Sequence, residues 1–461
     1  MKKAFKEKLL SFEFWWWLGL IIFALLLHGN HVMNNDEGVV LEGAWNLLQG
    51  KELYLDFFEF VTPGSFYLIF LFWKFFGAHY FIANIIAIGA LFIGSIGVYR
   101  IAELINRSKV NYLIPAIIIF SSFQWPIINH NLFSATFIIW ATFFFLKGLQ
   151  IKKNKYFIYT GLLIGFATLF LQSKGLAVLF GTSSFLAYLF FKEKKIGFLK
   201  KNSLLILAAI APVTILFFAW PVKVLYINLV EFVLLNYKDV NRISLFYFFL
   251  FLLILIVSFI ILRKEKKLEV NALLWLQFVL LLSTLSRPDS YHVALSIFPL
   301  LSLSFFIPIK LDPKKRLSKK VYKICFVGLM LLFIYPSIKY VTGFPIFYSI
   351  KDQGAIGYVK ENCQGERSLF AGPFIPGIYF ETGKVNPTPF GWLITNHQTK
   401  EQFNQARKIL EEKKPRCVVT HYGVVKKFDY NRDNPVDNFI KKEYHEVYRE
   451  EDMVVYMKTL R

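Results

Sequence analysis

A series of long apolar runs, separated by short polar loops, constrains this chain more than any other feature of its sequence. The runs lie near residues 14–28, 63–77, 79–99, 111–126, 132–146, 156–171, 175–191, 203–220, 244–262, 270–286, 290–309 and 321–337. Of the 461 residues, 56% are hydrophobic and only 18% are charged. A soluble fold cannot bury that much apolar surface, whereas about 20 apolar residues in a helix cross a bilayer. The sequence therefore predicts a polytopic α-helical membrane protein.

The placement of the basic residues indicates the orientation of these runs. The net charge is +22, and most Lys and Arg residues cluster in short loops near 100–109, 147–155, 192–201, 263–267 and 310–323. Loops rich in Lys and Arg stay on the cytoplasmic side of a membrane. Nucleic acid is not an expected partner, because no basic face exists outside these loops.

The number of runs that cross the membrane depends on how the early run at 63–77 is interpreted. The N-terminus resembles a signal peptide but lacks a small-residue cleavage site, so we read it as an uncleaved first span with a cytoplasmic start. With this start, all the basic loops fall on the cytoplasmic side only if one of the early apolar runs does not cross the membrane. The run 63–77 begins at Pro63, contains Lys74 and is short for a core of about 30 Å. We predict that it lies along the outer leaflet, which leaves about 11 transmembrane helices. The alternative is that 63–77 does span, in which case this assignment of loops to the two sides of the membrane is wrong.

The last part of the chain has a different composition. From about residue 339 the apolar runs end and charges of both signs mix. Glu401 to Lys413 has the periodicity of an amphipathic helix, and strands are predicted at 416–420, 444–448 and 453–457. We predict a transmembrane core over 1–338 and a small extracytoplasmic α/β domain over 339–461, in a multi-pass protein of the cell (plasma or inner) membrane.

Three cysteines are too few for a disulfide scaffold. Cys325 lies in an apolar run, where it is expected to be a small packing residue. Cys363 and Cys417 both lie in the polar tail and can pair if that tail is extracytoplasmic. The sequence favours two free thiols without deciding between the alternatives.

An acidic pair, Asp36 and Glu37, follows the first apolar run. Acids just outside a membrane are often solvated loop residues with no partner. Here the loop is long, holds further acids and leads into the apolar run at 63–77. A carboxylate near the low-dielectric boundary can take up a proton close to neutral pH, and two carboxylates can hold a divalent cation. Asp36 and Glu37 are therefore candidate catalytic residues and possible metal ligands.

The order of short motifs in this region resembles a known family. Asp36 to Gly38, Gly50 to Asp56 and Pro63 to Leu68 are similar to the first outer loop of the GT-C glycosyltransferases. The similarity is greatest to protein O-mannosyltransferases and bacterial lipid A aminoarabinose transferases, grouped as family 39-like, and extends more weakly to about residue 310. The next outer loop contains Asn129, His130 and Asn131, where many members of the family carry a second acid.

The resemblance implies the fold, the substrates and several site residues. It implies a GT-C-like fold with juxtamembrane helices in the first outer loop, and a donor in which polyprenyl phosphate carries the sugar. The acceptor would be an extracytoplasmic glycan, lipid or protein. Asp36 matches the acidic position of the general base that deprotonates the acceptor hydroxyl, and Glu37 matches the neighbouring acid. No cofactor is certain, although a divalent cation is possible.

Several polar residues at outer helix ends are candidates for binding the substrates. Cations there can stabilise the charge that develops on a phosphate leaving group. His130, Lys174 and Arg287 also have ordinary interpretations as a helix-end residue, an interfacial lysine and half of an ion pair with Asp289. The full set of substrate-binding candidates is Tyr67, His130, Lys174, Arg242, Arg287 and His292.

The sequence predicts an enzyme, a membrane glycosyltransferase that moves a hexose or pentose from a lipid-phosphate donor. One alternative is a transporter or flippase of lipid-linked saccharides, which would carry ionisable residues at the centres of its spans. The other alternative is a glycan polymerase or ligase, whose catalytic residues would lie in a large late loop. The acids of this chain gather instead in the early outer loop.

Overall fold

The computed structural model describes residues 12–29, 33–121, 127–236, 245–265, 267–307 and 354–459. The helices of the first part are α1 (Phe12–His28), α2 (Asn35–Leu48), α3 (Gly64–Phe76), α4 (Tyr80–Ile105), α5 (Leu113–Ser121), α6 (His130–Ile151), α7 (Asn154–Phe170), α8 (Gln172–Glu193), α9 (Gly197–Val213), α10 (Ile215–Ala219), α11 (Val222–Tyr226), α12 (Phe232–Leu235), α13 (Phe246–Leu262), α14 (Leu268–Leu282) and α15 (Ser290–Ile297). Short 3-10 turns cover Lys109–Tyr112 and Phe298–Leu303, and a π-helical turn covers Ile227–Glu231.

Four helical stretches are long and apolar enough to cross a membrane unaided. They are Tyr80–Ile105, His130–Ile151, Gln172–Glu193 and Gly197–Ala219. Large apolar side chains on these and the shorter apolar helices remain exposed, including Phe218 at 90%. In water such exposure would be unfavourable, so lipid is the expected solvent for these faces. The predicted helical membrane fold is confirmed, while the count of 11 spans stays a prediction because the run at 321–337 lies outside the described residues.

Helix α3 begins and ends at the same face of the helical bundle. At its start, the Thr62 hydroxyl donates to the Thr168 carbonyl at 2.8 Å, close to the end of α7. Just after its end, the Tyr80 hydroxyl donates to Glu37 Oε2 at 3.2 Å, beside the start of α2. Its 13 residues span only about 20 Å, less than a bilayer core. Both ends of the helix therefore lie at one face of the bundle, and that 63–77 does not span the membrane stays a prediction.

Residues 354–459 fold around a four-stranded sheet. Its strands are β1 (Phe370–Gly372), β2 (Cys417–His421), β3 (Tyr444–Glu450) and β4 (Met453–Lys458), in the order β1-β2-β4-β3. Strands β1 and β2 are parallel, and the other two pairs are antiparallel. The flanking helices are α16 (Gly354–Asn362), α17 (Gly377–Thr382), α18 (Lys400–Lys413) and α19 (Pro435–Glu443), with a 3-10 turn at Tyr422–Phe428. A small α/β unit is therefore present, and the predicted boundary at 339 lies outside the described residues.

The amphipathic segment at 400–413 folds as its periodicity predicts. Thr399 caps α18 by accepting from the Gln402 backbone N–H at 3.2 Å, and Gln402 caps the Thr399 N–H in return. Phe403, Ala406 and Leu410 are buried on the side that faces the sheet.

Cys363 and Cys417 form a disulfide bond with a Cα–Cα distance of 6.3 Å. The preference for two free thiols was therefore wrong. The spacing of the two cysteines gave no signal, because their approach depends on how α16 packs against the sheet. Disulfides persist in oxidising compartments, so the bond is consistent with an extracytoplasmic domain.

The α/β unit packs directly on α2 and on the loop before α3. The Trp45 indole N–H donates to the Lys384 carbonyl at 2.8 Å, and the Phe58 backbone N–H donates to the Pro389 carbonyl at 2.8 Å. A Cβ on Gly38 would lie only 2.6 Å from the Gly377 backbone nitrogen. This close approach joins α2, which carries Asp36, to the C-terminal unit.

Candidate functional site

A cavity of about 580 Å³ lies between the helix ends of the bundle and the α/β unit. Its walls come from the start of α2, the loop before α3, the starts of α6 and α8, and the loop before α15. The α/β unit closes one side with side chains from residues 374–428. A cavity of this size, with convergent polar groups on an otherwise apolar lining, is typical of a site for a small substrate.

Asp36 and Glu37 lie side by side in the chain but have different surroundings. Asn34 caps α2 by accepting from the Glu37 N–H at 3.0 Å, and Glu37 Oε2 accepts from the Asn34 N–H at 2.9 Å. Glu37 is fully buried, and its Oε1 accepts from the Ile128 N–H at 2.9 Å. Asp36 is half-buried and lines the cavity. The structure therefore places Asp36 where a substrate can reach it, whereas Glu37 joins α2 to the segment before α6.

Glu59 is a further cavity-lining carboxyl besides Asp36 and Asp289, and it was not among the site residues expected from the sequence. It lies in the loop before α3 and is only 4% exposed. Its Oε2 has no hydrogen-bond partner among the described residues. Burial, reinforced by the charge of Glu42, raises the pKa of Glu59 well above its usual range. A buried polar group without a partner is costly, so a ligand group is the natural complement to Glu59.

Lys174 projects into the cavity from the first turn of α8. Its ammonium donates to Ser296 Oγ at 2.8 Å and to the His292 carbonyl at 3.2 Å, and the residue is only 3% exposed. An ammonium group has three N–H donors, and these two neutral acceptors use two of them. The remaining donor can bind an anionic ligand in the cavity.

The loop before α15 brings a cation, an acid and an imidazole together. Asp289 caps α15 by accepting from the His292 N–H at 2.9 Å, and its carboxylate also contacts His292 Nδ1 at 2.8 Å. Arg287 Nε donates to Asp289 Oδ2 at 3.2 Å. Burial alone would raise the pKa of Asp289, but hydrogen bonds from His292 and the nearby positive charges hold it at about 2. Arg287 and His292 both line the cavity, so Asp289 orients two candidate ligand-binding groups.

His130 occupies the first turn of α6 and also lines the cavity. Its Nδ1 has no partner among the described residues. The preceding Asn129 caps the helix by accepting from the Asn131 N–H at 2.8 Å. This loop therefore contributes an imidazole at the position where the sequence offered no second acid.

The α/β unit supplies an aromatic wall that the sequence analysis did not identify. The Trp392 and His397 rings lie 5.6 Å apart, and the Phe428 ring lies 4.9 Å from that of His397. Burial, with the charges of Arg287 and Lys427, lowers the pKa of His397 to about 4. These residues lie far along the chain from Asp36, so no local motif could have placed them in the site.

Two of the substrate-binding candidates are not brought to the cavity by the described structure. Tyr67 lies on α3 against Trp220 and Phe70, with ring centroids 6.1 Å away in each case, and is 39% exposed. Arg242 lies outside the described residues.

The residues present do not assemble a metal site in the described parts of the chain. No group of three or more His, Cys, Asp or Glu side chains that could hold a metal ion occurs there. Of the two suggested ligands, Asp36 faces the cavity, whereas both Glu37 oxygens accept hydrogen bonds from the protein. Asp36 and Glu37 therefore do not form a shared pair of ligands.

The comparisons with known proteins agree with the resemblance noted in the sequence. Residues 61–220 match the family described as dolichyl-phosphate-mannose-protein mannosyltransferase. No curated protein matches the chain at the sequence level.

Solved structures share the fold over nearly the whole chain. The chain is similar to ArnT from Cupriavidus metallidurans bound to undecaprenyl phosphate, with a TM-score of 0.64 and 12% identity over 95% of this chain and 97% of that one. The apo state of that protein gives a TM-score of 0.63 and 12% identity over 95% and 96%. The apo oligosaccharyltransferase from Archaeoglobus fulgidus gives a TM-score of 0.53 and 13% identity, over 96% and 74%. At these identities the likeness establishes a shared fold, and the predicted GT-C architecture is confirmed.

Proposed function

We propose that this protein, a membrane glycosyltransferase with the GT-C fold, transfers a sugar from a polyprenyl-phosphate donor to an acceptor hydroxyl at the outer membrane surface. The donor class is supported by the similarity to a structure that holds undecaprenyl phosphate and by the match to a family named for dolichyl-phosphate-mannose. The acceptor is an extracytoplasmic glycan, lipid or protein.

One observation carries the proposal. A single cavity is lined by a half-buried carboxylate, Asp36, and by the cationic groups Lys174 and Arg287. Transfer from a phosphate-linked sugar needs a base near the attacking hydroxyl and positive charge near the departing phosphate. The cavity provides both kinds of group.

Asp36 is the proposed general base. Its carboxylate accepts the proton of the acceptor hydroxyl as the hydroxyl oxygen bonds to the anomeric carbon of the donor sugar. The bond between that carbon and the phosphate oxygen breaks at the same time, so the anomeric configuration inverts. Glu37 acts as a positioning residue, because its hydrogen bonds to the Asn34 and Ile128 backbones hold the first turn of α2 in place.

Lys174 and Arg287 are the proposed binding groups for the phosphate. The lipid phosphate gains negative charge as the glycosidic bond breaks, and nearby cations stabilise that charge. Lys174 retains one N–H donor for a ligand, while Asp289 orients Arg287 and His292. His130 offers an imidazole nitrogen to the sugar or to the phosphate.

The proposed role of Glu59 is to hold the donor sugar. Burial raises the pKa of Glu59 and so favours the neutral carboxyl, which can donate a hydrogen bond as well as accept one. Many members of the family carry a second acid in the next outer loop. In this proposal Glu59 supplies that acid from the first outer loop.

The test is an Asp36→Asn variant assayed in membranes with a polyprenyl-phosphate sugar as donor. We expect transfer to fall by at least 100-fold, because general-base catalysis contributes about 10²–10⁴-fold, while expression and membrane insertion stay normal. Asp56→Asn is the matched control, because Asp56 is an exposed aspartate of the same outer loop. Normal transfer by Asp36→Asn would show that the assignment of the base is wrong.

A further inference from the structure

A second pocket lies at the face of the bundle opposite the cavity. It has a volume of about 760 Å³ and is formed by the end of α4, the turn at Lys109–Tyr112 and the last turns of α6. Helix α6 runs from His130 at the cavity to Ile151 at this pocket, a length of about 30 Å. The two sites are therefore separated by roughly the thickness of a bilayer core.

Four cations line this second pocket: Arg100, Arg107, Lys109 and Lys147. None of the four forms an ion pair with any of the residues that the structure describes. Arg100 and Lys147 lie over aromatic rings instead, at 5.6 Å from Tyr99 and 5.3 Å from Phe143. The pocket lining thus holds four cations against two carboxylates, Glu13 and Glu103, which leaves a formal net charge of +2.

The two acids of the pocket are occupied by other partners. Glu13 accepts a hydrogen bond from the Tyr112 hydroxyl. Glu103 Oε1 accepts from Asn111 Nδ2 at 2.7 Å and from the Ser108 N–H at 3.3 Å, which fixes the turn after α4. These contacts hold the carboxylates to the wall of the pocket, so an anionic ligand would meet the cations.

Apolar, partly exposed residues form the rim of the pocket. Ile151 lines the pocket and is 41% exposed, while Val110 and Leu113, the chain neighbours of the lining residues Lys109 and Tyr112, are 44% and 47% exposed. Tyr99 and Tyr112 pack against each other with ring centroids 5.0 Å apart, in the kind of aromatic cluster that lies at a membrane interface. Cations beside exposed apolar residues match a ligand with a charged head and apolar chains.

We propose that this pocket binds the phosphate group of an anionic phospholipid, with its acyl chains against the apolar rim. The site is separate from the cavity and does not depend on the proposed transfer reaction. Basic clusters next to a membrane span attract anionic lipid headgroups, and a walled pocket adds selectivity to that attraction.

The test uses the full-length protein purified in a neutral detergent. Binding of phosphatidylglycerol is measured by native mass spectrometry and by titration, with phosphatidylcholine of the same acyl chains as the zwitterionic reference. We expect phosphatidylglycerol to be retained at least tenfold more strongly than phosphatidylcholine. The triple variant Arg100→Gln, Arg107→Gln and Lys109→Gln should lose at least tenfold in affinity for phosphatidylglycerol.

The matched control removes three charges from the same face without touching the pocket. Lys153, Lys192 and Lys200 are exposed and do not line it, so changing all three to Gln should alter the affinity less than twofold. A single Lys109→Glu change, which reverses one charge at the rim, should weaken binding in the same direction as the triple variant. An equal loss in the triple variant and its control would overturn the proposal, because it would show only general attraction.

A third arm separates the lipid from a soluble phosphate compound. Glycerol 1-phosphate carries the phosphate without acyl chains, and we expect it not to compete at a 100-fold excess over phosphatidylglycerol. Competition at equal concentration would overturn the assignment to a lipid, because the pocket would then recognise a soluble phosphate ester.

Discussion

Asp36 and Glu37 are chemically similar neighbours with different tasks in the fold. Glu37 is buried and uses its oxygens to bind backbone N–H groups, whereas Asp36 faces the cavity. In a helix, consecutive side chains point about 100° apart, so Asp36 and Glu37 are directed towards different surroundings. The sequence identified the pair, and the helix geometry separates the candidate base from the residue that positions it.

Glu59 gives a second test at the scale of single residues. Glu59→Gln keeps the size and the hydrogen-bonding capacity of a protonated carboxyl, so we expect a modest loss of transfer, less than about tenfold. Glu59→Ala removes the group entirely, and we expect KM for the donor to rise by about 10- to 100-fold. The measurement is steady-state transfer over a range of donor concentrations.

Glu52→Gln serves as the control for Glu59, because Glu52 is exposed in the same loop. Equal kinetics for Glu59→Ala and wild type would contradict a role in holding the sugar. A larger loss with Glu59→Gln than with Glu59→Ala would contradict the protonated state.

Helix α2 is the element that joins the two halves of the site. Its first turn carries Asp36, while its side packs against the α/β unit through Gly38 and Trp45. Glycine is required at 38 because a Cβ there would lie 2.6 Å from the Gly377 nitrogen. Displacing the α/β unit should therefore also displace the candidate base.

A Gly38→Ala variant tests this connection. We expect it to destabilise the protein by about 1–3 kcal/mol, because the added methyl group forces backbones apart, and to reduce transfer as well. Thermal unfolding in detergent and the transfer assay provide the two readouts.

Gly357→Ala is the matched control for Gly38→Ala. Gly357 lies in α16, and nothing lies within 4 Å of the position of an added Cβ. It should be neutral or slightly stabilising, since Ala favours helix by about 1 kcal/mol over Gly. Equal behaviour of the two variants would contradict a role for the close contact at Gly38.

We expect Glu42 to make the stability of this interface depend on pH. The carboxyl is buried against the α/β unit, where Asn386 Nδ2 donates to its Oε1 at 3.1 Å. Burial raises the pKa of Glu42 from 4.5 to about 7, although Asn386 and Lys51 oppose the shift. Because the folded pKa exceeds the unfolded one, this group contributes stability at low pH that is lost as the pH rises from about 4.5 to 7.

The corresponding variant is Glu42→Gln, which stays neutral throughout. Its free energy of unfolding should exceed that of wild type at pH 8, and the difference should shrink by up to about 3 kcal/mol between pH 8 and pH 5. Unfolding of both proteins at several pH values checks this, with Glu52→Gln as the exposed control. A difference that does not vary with pH would rule out titration of Glu42 in this range.

At the scale of the whole molecule, one cavity draws on both the helical bundle and the α/β unit. The bundle provides Asp36, Lys174 and Arg287, and the α/β unit provides the wall around Trp392 and His397. The C-terminal unit is thus part of the site that we propose for substrates. Because the unit packs on α2 and on the loop before α3, it lies at the same face of the bundle as they do.

The redox state of Cys363 and Cys417 indicates which compartment the α/β unit faces. The disulfide between them closes a loop with a sequence separation of 54, for which chain entropy predicts about 4 kcal/mol of stabilisation. Without reductant, neither cysteine of the native protein should react with an alkylating reagent after unfolding. Reductant should lower the Tm of wild type but not that of the variant with both cysteines changed to Ser. Alkylation of Cys363 and Cys417 in the unreduced protein would argue for a reducing compartment.

The sequence predicted those parts of the molecule that depend on local pattern. Apolar runs with basic loops identified the membrane fold, and the run at 63–77 forms the helix α3. The periodicity of 401–413 and the strand patterns after it identified the α/β unit. These features are readable because burial of a helix face or a strand face is repeated along consecutive residues.

The sequence also identified most of the polar residues that line the cavity, including Asp36, His130, Lys174, Arg287 and His292. It did so because charged and polar residues at membrane helix ends are few and conspicuous. It could not show that they share one cavity, since that depends on how the helices pack.

By itself, then, the sequence determined that lipid surrounds most of the chain, that the fold is helical, and that Asp36 is a candidate catalytic residue. Only the tertiary structure decided that Glu37 faces inward, that Glu59 joins the cavity, and that Cys363 meets Cys417. The reason is physical: hydropathy and periodicity are sums over neighbouring residues, whereas a site is made by contacts between distant ones. A single buried carboxyl such as Glu59 adds almost nothing to such a sum, and its importance appears only when the groups around it are known.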